Sequence, residues 1–259
     1  MDLLVTLLVC LFAGIGAGLG TGFAGMSAAA VITPMLVTFL DMDPYMAVGI
    51  ALASDVLASA VSAYTYGKNK NLDIRGGLVM MAAVLVFTVV GSYISSLVPP
   101  VTMGSFSVIM TLFLGIKFIV RPVMTTRETA NTGSAGARVV KSIVCGAVVG
   151  FICGFVGAGG GMMMLLLLTS ILRYDLKTAV GTSVFIMTFT ALTGSLSHFA
   201  IGGAPQWYPF ILCVLFTFLF ARIAAKIANK AQPKTLNRAT GVILVILGIV
   251  VLGFSLATK

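Results

Sequence analysis

Long apolar runs alternate with short polar turns along the whole chain, and ten segments stand out. The first two, at about 3–20 and 26–40, flank a glycine-dense stretch, GIGAGLGTGFAGM, from Gly14 to Met26. The polar turn Asp41-Met42-Asp43-Pro44 follows, its proline suited to the first turn of a helix. Helices are predicted at about 45–66, 77–97 and 101–120, with the basic loop GKNKNLDIRG after the first and Pro99-Pro100 closing the second. A polar, basic connection, RPVMTTRETANTGSAGARVVK, occupies 121–141. The plan then repeats. Segments at about 142–157 and 161–172 flank a second glycine stretch, Gly146 to Met164, and RYDLK is the turn. Helices at about 178–200, 208–229 and 239–257 complete the chain. Apolar runs of about 20 residues predict membrane-spanning helices rather than barrel strands.

Composition strengthens that reading. The chain is 59% hydrophobic and 9% charged, against about 25% charged in soluble domains, and its mean hydropathy is +1.12. A net charge of +9 invites a nucleic-acid reading, but the basic residues sit in short loops between apolar spans, as membrane topology dictates. The N-terminal run lacks a basic leader and carries Asp2, so a first helix is expected there rather than a cleaved signal. The cysteines Cys10, Cys145, Cys153 and Cys213 all lie in apolar runs without CxxC spacing, so neither a metal nor a disulfide role is expected. No cofactor is expected either.

The two halves match at residue level. With a shift of 132 positions, Gly14, Gly18, Gly22, Phe23, Gly25, Leu36, Leu40, Asp43, Ala47, Val48 and Gly49 all fall on identical residues. This predicts an all-α polytopic membrane protein made of two inverted repeats, each a glycine-broken helical hairpin plus three transmembrane helices. The first repeat spans 1–120, a cytoplasmic linker 121–141 and the second repeat 142–259. If each broken pair returns to the side it came from, the loops around 67–76, 117–141, 173–177 and 222–238 share one face. That face then carries every lysine and arginine except Lys259, which makes it cytoplasmic and puts both termini outside.

A glycine break inside a bilayer has a chemical consequence. Irregular backbone at membrane depth persists only where protein or a cavity surrounds it. Each break exposes a helix N-terminus with free N–H groups and a positive dipole end, which suits an anion. Candidate substrate-binding residues are therefore Gly22, Gly25 and Ser27 in the first break and Gly157, Gly160 and Gly161 in the second. Thr182 and Ser183, which follow Ala-Val-Gly at the start of the helix packed on the hairpin, join them. Asp55 is the one acid well inside a predicted span, so it is the candidate for coupling to protons or another ion. Its counterpart under the shift is Met187, so the symmetry is broken there. GTGFAG at 20–25 matches GxGxxG, but without a preceding strand it signals no nucleotide site. Ser195 and His198 lie three apart on one helix, a spacing compatible with a Ser–His dyad, yet nothing else in the chain supports catalysis. His198 is expected to be a structural, hydrogen-bonded histidine.

The openings GTGFAGMSAAAVITPML and GFVGAGGGMMMLLLL, each followed by an Asp and Ala-Val-Gly, resemble the sulfite exporter TauE/SafE family, also called the 4-toluene sulfonate uptake permease family. AVGTS at 179–183 fits the family pattern, whereas the first half departs from it with AVGIALASD. The resemblance implies a multi-pass permease of the inner (plasma) membrane. It would move small organic or sulfur-containing anions, sulfite or sulfonates among them. A homo-oligomer is a separate expectation. Two other classes compete: a carrier or channel for another solute, including a cation balanced by Asp55, and an intramembrane enzyme.

Overall fold

A computed structural model describes residues 3–97, 135–156 and 160–232, with isolated helical positions between 112 and 120 and between 234 and 253. The expected helices at 101–120 and 239–257 are therefore met only at isolated positions. Gly157 and most of the 121–141 connection lie outside the described residues. Among the described residues eight helices follow one another: α1 (Leu3–Ala24), α2 (Ala29–Leu40), α3 (Pro44–Lys68), α4 (Ile74–Ser96), α5 (Ala135–Val156), α6 (Gly160–Ser170), α7 (Leu176–Gly202) and α8 (Trp207–Lys230). No strand occurs among the described residues. Five of the helices, α1, α3, α4, α7 and α8, are long and apolar enough to cross a membrane. Large apolar side chains such as Phe12, Leu57, Val86, Leu196 and Ile211 are exposed on the outer surface, which suits contact with lipid.

Acids near the helix starts explain where three helices begin. The carboxylates of Asp43, Asp73 and Asp175 accept hydrogen bonds from the N–H groups of Met46 (3.0 Å), Gly76 (3.0 Å) and Thr178 (3.2 Å). Each satisfies one donor that a helix N-terminus leaves open. Pro44 occupies the first turn of α3, as its sequence position predicts.

The glycine stretch does not unwind as a whole. Helix α1 runs through Gly14, Gly16, Gly18, Gly20 and Gly22, and the break is confined to residues 25–28. A helix keeps its backbone hydrogen bonds internal, which an apolar setting demands. The glycines serve close packing instead. A Cβ on Gly18 would lie 2.7 Å from the Phe220 Cβ, and one on Gly22 would lie 2.6 Å from the Ala221 carbonyl oxygen. Thus α1 and α8 meet backbone to backbone, and they run parallel. The same device recurs between α5 and α4, where Gly146, Gly150 and Gly154 face Met80, Val84 and Thr88 in turn. Small residues allow such approach where no hydrophobic effect drives helices together.

Polar contacts mark the two ends of the bundle. At one end Tyr174 Oη donates to Asp73 Oδ2 (2.7 Å), Asn71 Nδ2 to Asn229 Oδ1 (3.0 Å) and Lys177 Nζ to the Asn229 carbonyl (2.7 Å). These bonds join the loop before α4, the start of α7 and the last turn of α8. At the other end Tyr208 Oη donates to the Leu3 carbonyl (3.5 Å), and the His198 ring meets the Tyr45 carbonyl (3.2 Å). Helix α1 starts at this second end and α2 leads back to it. Helix α5, parallel to α4, starts at the first end, and α6 leads back to that one. The two hairpins open toward opposite ends.

Candidate functional site

The first break touches the start of α6 in the interior. A Cβ on Gly161 would lie 2.7 Å from the Ser27 backbone nitrogen and would also strike the Gly25 carbonyl. Gly25 itself has φ +62°, a left-handed conformation that favours glycine, and a Cβ there would collide with Ser183 Oγ. Gly25, Ser27, Gly161 and Ser183 are thus brought together from three segments, the first break, α6 and α7. Gly22 lies just before them in the last turn of α1, and Gly160 starts α6 against Cys153. Thr182 faces elsewhere: its Oγ1 accepts from the Asp73 N–H (3.1 Å) and ties α7 to the loop before α4.

Each break is braced by an aromatic or imidazole donor, and sequence reasoning missed one of the two. Tyr66 Oη donates to the Gly22 carbonyl (3.1 Å). His198 Nε2 meets the Gly154 carbonyl (3.3 Å). Gly22 and Gly154 are counterparts under the shift of 132, and so are Tyr66 and His198. The substitution of His for Tyr hides the match from an identity count, although both side chains reach the same kind of carbonyl. His198 is 1% exposed and packs against Tyr45, with ring centres 4.1 Å apart and planes tilted by 33°. Ser195 Oγ donates to the Leu192 carbonyl (3.1 Å). Ser195 and His198 are therefore each engaged with backbone carbonyls rather than with one another.

Asp55 sits in the middle of α3 with no exposure at all. Its Oδ1 accepts from Ser59 Oγ (2.9 Å) and, at a longer 3.5 Å, from Thr21 Oγ1. The Ser27 hydroxyl and the Ala28 N–H also lie against the carboxyl group. The positive end of α2 therefore already faces an acid of the protein's own. No lysine or arginine occurs among the described buried residues, so none of the described residues supplies a buried cation to balance Asp55. Under the shift of 132, the counterparts of Thr21, Asp55 and Ser59 in the second half are Cys153, Met187 and Ala191. At these three positions the first half is hydroxyl-bearing and acidic, and the second half carries no hydroxyl or carboxylate. No cluster of three His, Cys, Asp or Glu side chains suited to a transition metal occurs among the described residues.

The family model for the sulfite exporter TauE/SafE matches residues 10–251, nearly the whole chain. The chain belongs to this family. Among TauE/SafE relatives, the probable membrane transporter protein YunE of Bacillus subtilis is 28% identical over 86% of this chain and 89% of its own length. A probable membrane transporter protein of Haemophilus influenzae is 22% identical over 94% of this chain and 97% of its own length. No solved structure matches the chain. The TauE/SafE assignment makes the protein an integral membrane transporter, and the interior meeting point of its two hairpins is the natural place to look for its cargo.

Proposed function

We propose that the protein is a secondary active carrier of small organic or sulfur-containing anions, sulfite and sulfonates among them, built from two inverted repeats in the inner (plasma) membrane. One observation carries the reading: two broken helices, from hairpins opening toward opposite ends, meet backbone to backbone at Gly25–Ser27 and Gly161. Half-helix N-termini at a repeat interface suit an anionic group, and rocking one repeat against the other would expose it to each side alternately. The N–H groups at the start of α6 receive the anion, since α2 already faces Asp55. The hydroxyl of Ser183, beside Gly25, lies in reach of the same space. Asp55 carries the ion that drives transport. A carboxylate held among neutral donors, without a basic partner, changes its net charge when a cation binds.

The test is flux in proteoliposomes. The purified protein should accumulate radiolabelled sulfite or a small sulfonate under an imposed ion gradient. A Gly161→Leu variant, blocked where the breaks touch, should not. Equal flux in empty liposomes and in those carrying the protein, across the whole anion panel, would sink the reading.

A further inference from the structure

We propose that Asp55, Thr21, Ser27 and Ser59 form a site for a single sodium ion, held between the end of α1 and the middle of α3. The inference rests on the carrier reading above and names the coupling ion. The first observation is the donor set. A carboxylate and three hydroxyl oxygens, from α1, the first break and α3, converge on one buried point. Hard alkali cations take oxygen ligands of this kind, whereas soft or borderline metals favour sulfur and imidazole. The second observation is independent of the first. Asp55 Oδ2 is fully buried and has no hydrogen-bond partner among the described residues. Such an oxygen is costly unless something meets it. A bare cation supplies charge and coordination together.

Helix geometry agrees. Thr21 lies in the last turn of α1, at the negative end of the helix dipole and among its terminal carbonyls. The Thr21 and Ser59 hydroxyls now donate to Oδ1, and each can rotate to present a lone pair instead. The second repeat offers Cys153, Met187 and Ala191 at the corresponding places, so one sodium ion rather than two is expected. The ion would neutralise Asp55 and free the positive end of α2 to share the substrate anion with α6. Cation and anion would then favour each other's binding.

Binding of radioactive sodium to the purified, detergent-solubilised protein tests this without any substrate. Wild type should bind sodium in a manner displaced by unlabelled sodium and not by choline. Asp55→Asn should abolish binding, and Ser59→Ala should weaken it roughly tenfold or more, as changes close to a bound metal do. Ser197→Ala, whose hydroxyl bonds its own helix at Thr193, should bind as wild type does. Size-exclusion profiles establish that each variant is folded, and Ser59→Ala keeps the test decisive if Asp55→Asn is not. Absence of displaceable sodium binding by folded wild type overturns the site, as does undiminished binding by both Asp55→Asn and Ser59→Ala. Anion flux driven by a proton gradient in sodium-free buffer overturns the sodium site and leaves the carrier standing. Sodium binding without flux of any anion does the reverse.

Discussion

Gly25 shows how much one residue can hold. Its φ of +62° lies where a Cβ costs about 1–2 kcal/mol, and the space a Cβ would fill is taken by Ser183 Oγ. The two penalties have separate origins and separate remedies. Gly25→Ala should lower both thermal stability and flux. Adding Ser183→Ala should remove the collision and recover part of the loss, leaving the backbone cost. A Gly25→Leu change should abolish flux, while Ala82→Leu, on an exposed face of α4, should leave it intact. Flux and melting temperature measured across these variants check the argument, and normal flux in Gly25→Leu would show that this glycine does not shape the site. Tyr66 and His198 carry a related lesson. A tyrosine hydroxyl and an imidazole nitrogen meet the carbonyls of Gly22 and Gly154, so the two halves share a contact where their letters diverge.

Helices were legible in the sequence because lipid demands long apolar runs, and the observed bounds differ from the expected ones by a few residues at most places. The extent of the first break was not legible. Glycines at 14, 18 and 22 look like helix breakers under soluble-protein propensities, about 1 kcal/mol worse than alanine each. In the bundle they form a flat stripe on α1 against Thr217, Ala221 and Ala225 of α8, and close contact outweighs propensity. Only Gly25, four residues beyond 21 and off the stripe, turns the chain. The candidate site was legible in part for the same reason: the break residues and Asp55 stand out by type, whereas Ser59 and Thr21 become notable only once α1 and α3 are side by side. Gly18→Leu should therefore separate α1 from α8. Overpacking typically costs 1–3 kcal/mol, and here the obstacle is backbone as well as side chain. Unfolding in detergent, followed by helical signal, should show the loss, with a similar loss for Gly150→Leu on the α5–α4 contact. Unchanged stability in both would mean that the two stripes are not tight in the bilayer.

At the scale of the whole molecule, charge and connectivity must agree. Lys68, Lys70, Arg75, Arg173, Lys177 and Lys230 all lie at the end where the loops before α4 and α7 meet the end of α8. The opposite end, with the turn 41–43 and the loop 203–206, holds Asp41 and Asp43 and no basic residue among the described residues. Short basic loops favour the cytoplasm, so the positive-inside rule predicts that the first end faces inward and the second outward. Trp207 and Tyr208, exposed at the outer end, suit the interfacial position that amphipathic rings prefer. The cysteines are buried, so single surface cysteines can report sidedness against a quiet background. A cysteine replacing Ala204 should react with an impermeant maleimide in intact cells. One replacing Ser134, in the connection between repeats, should react only after the membrane is opened. Labelling of both positions in intact cells would mean that the connection is outside, and would remove the inverted arrangement of the hairpins. Labelling of Ser134→Cys alone would keep the inversion and reverse the whole molecule in the membrane. That result would set the charge distribution against the positive-inside rule, so the two-site experiment separates the fold's internal symmetry from its orientation.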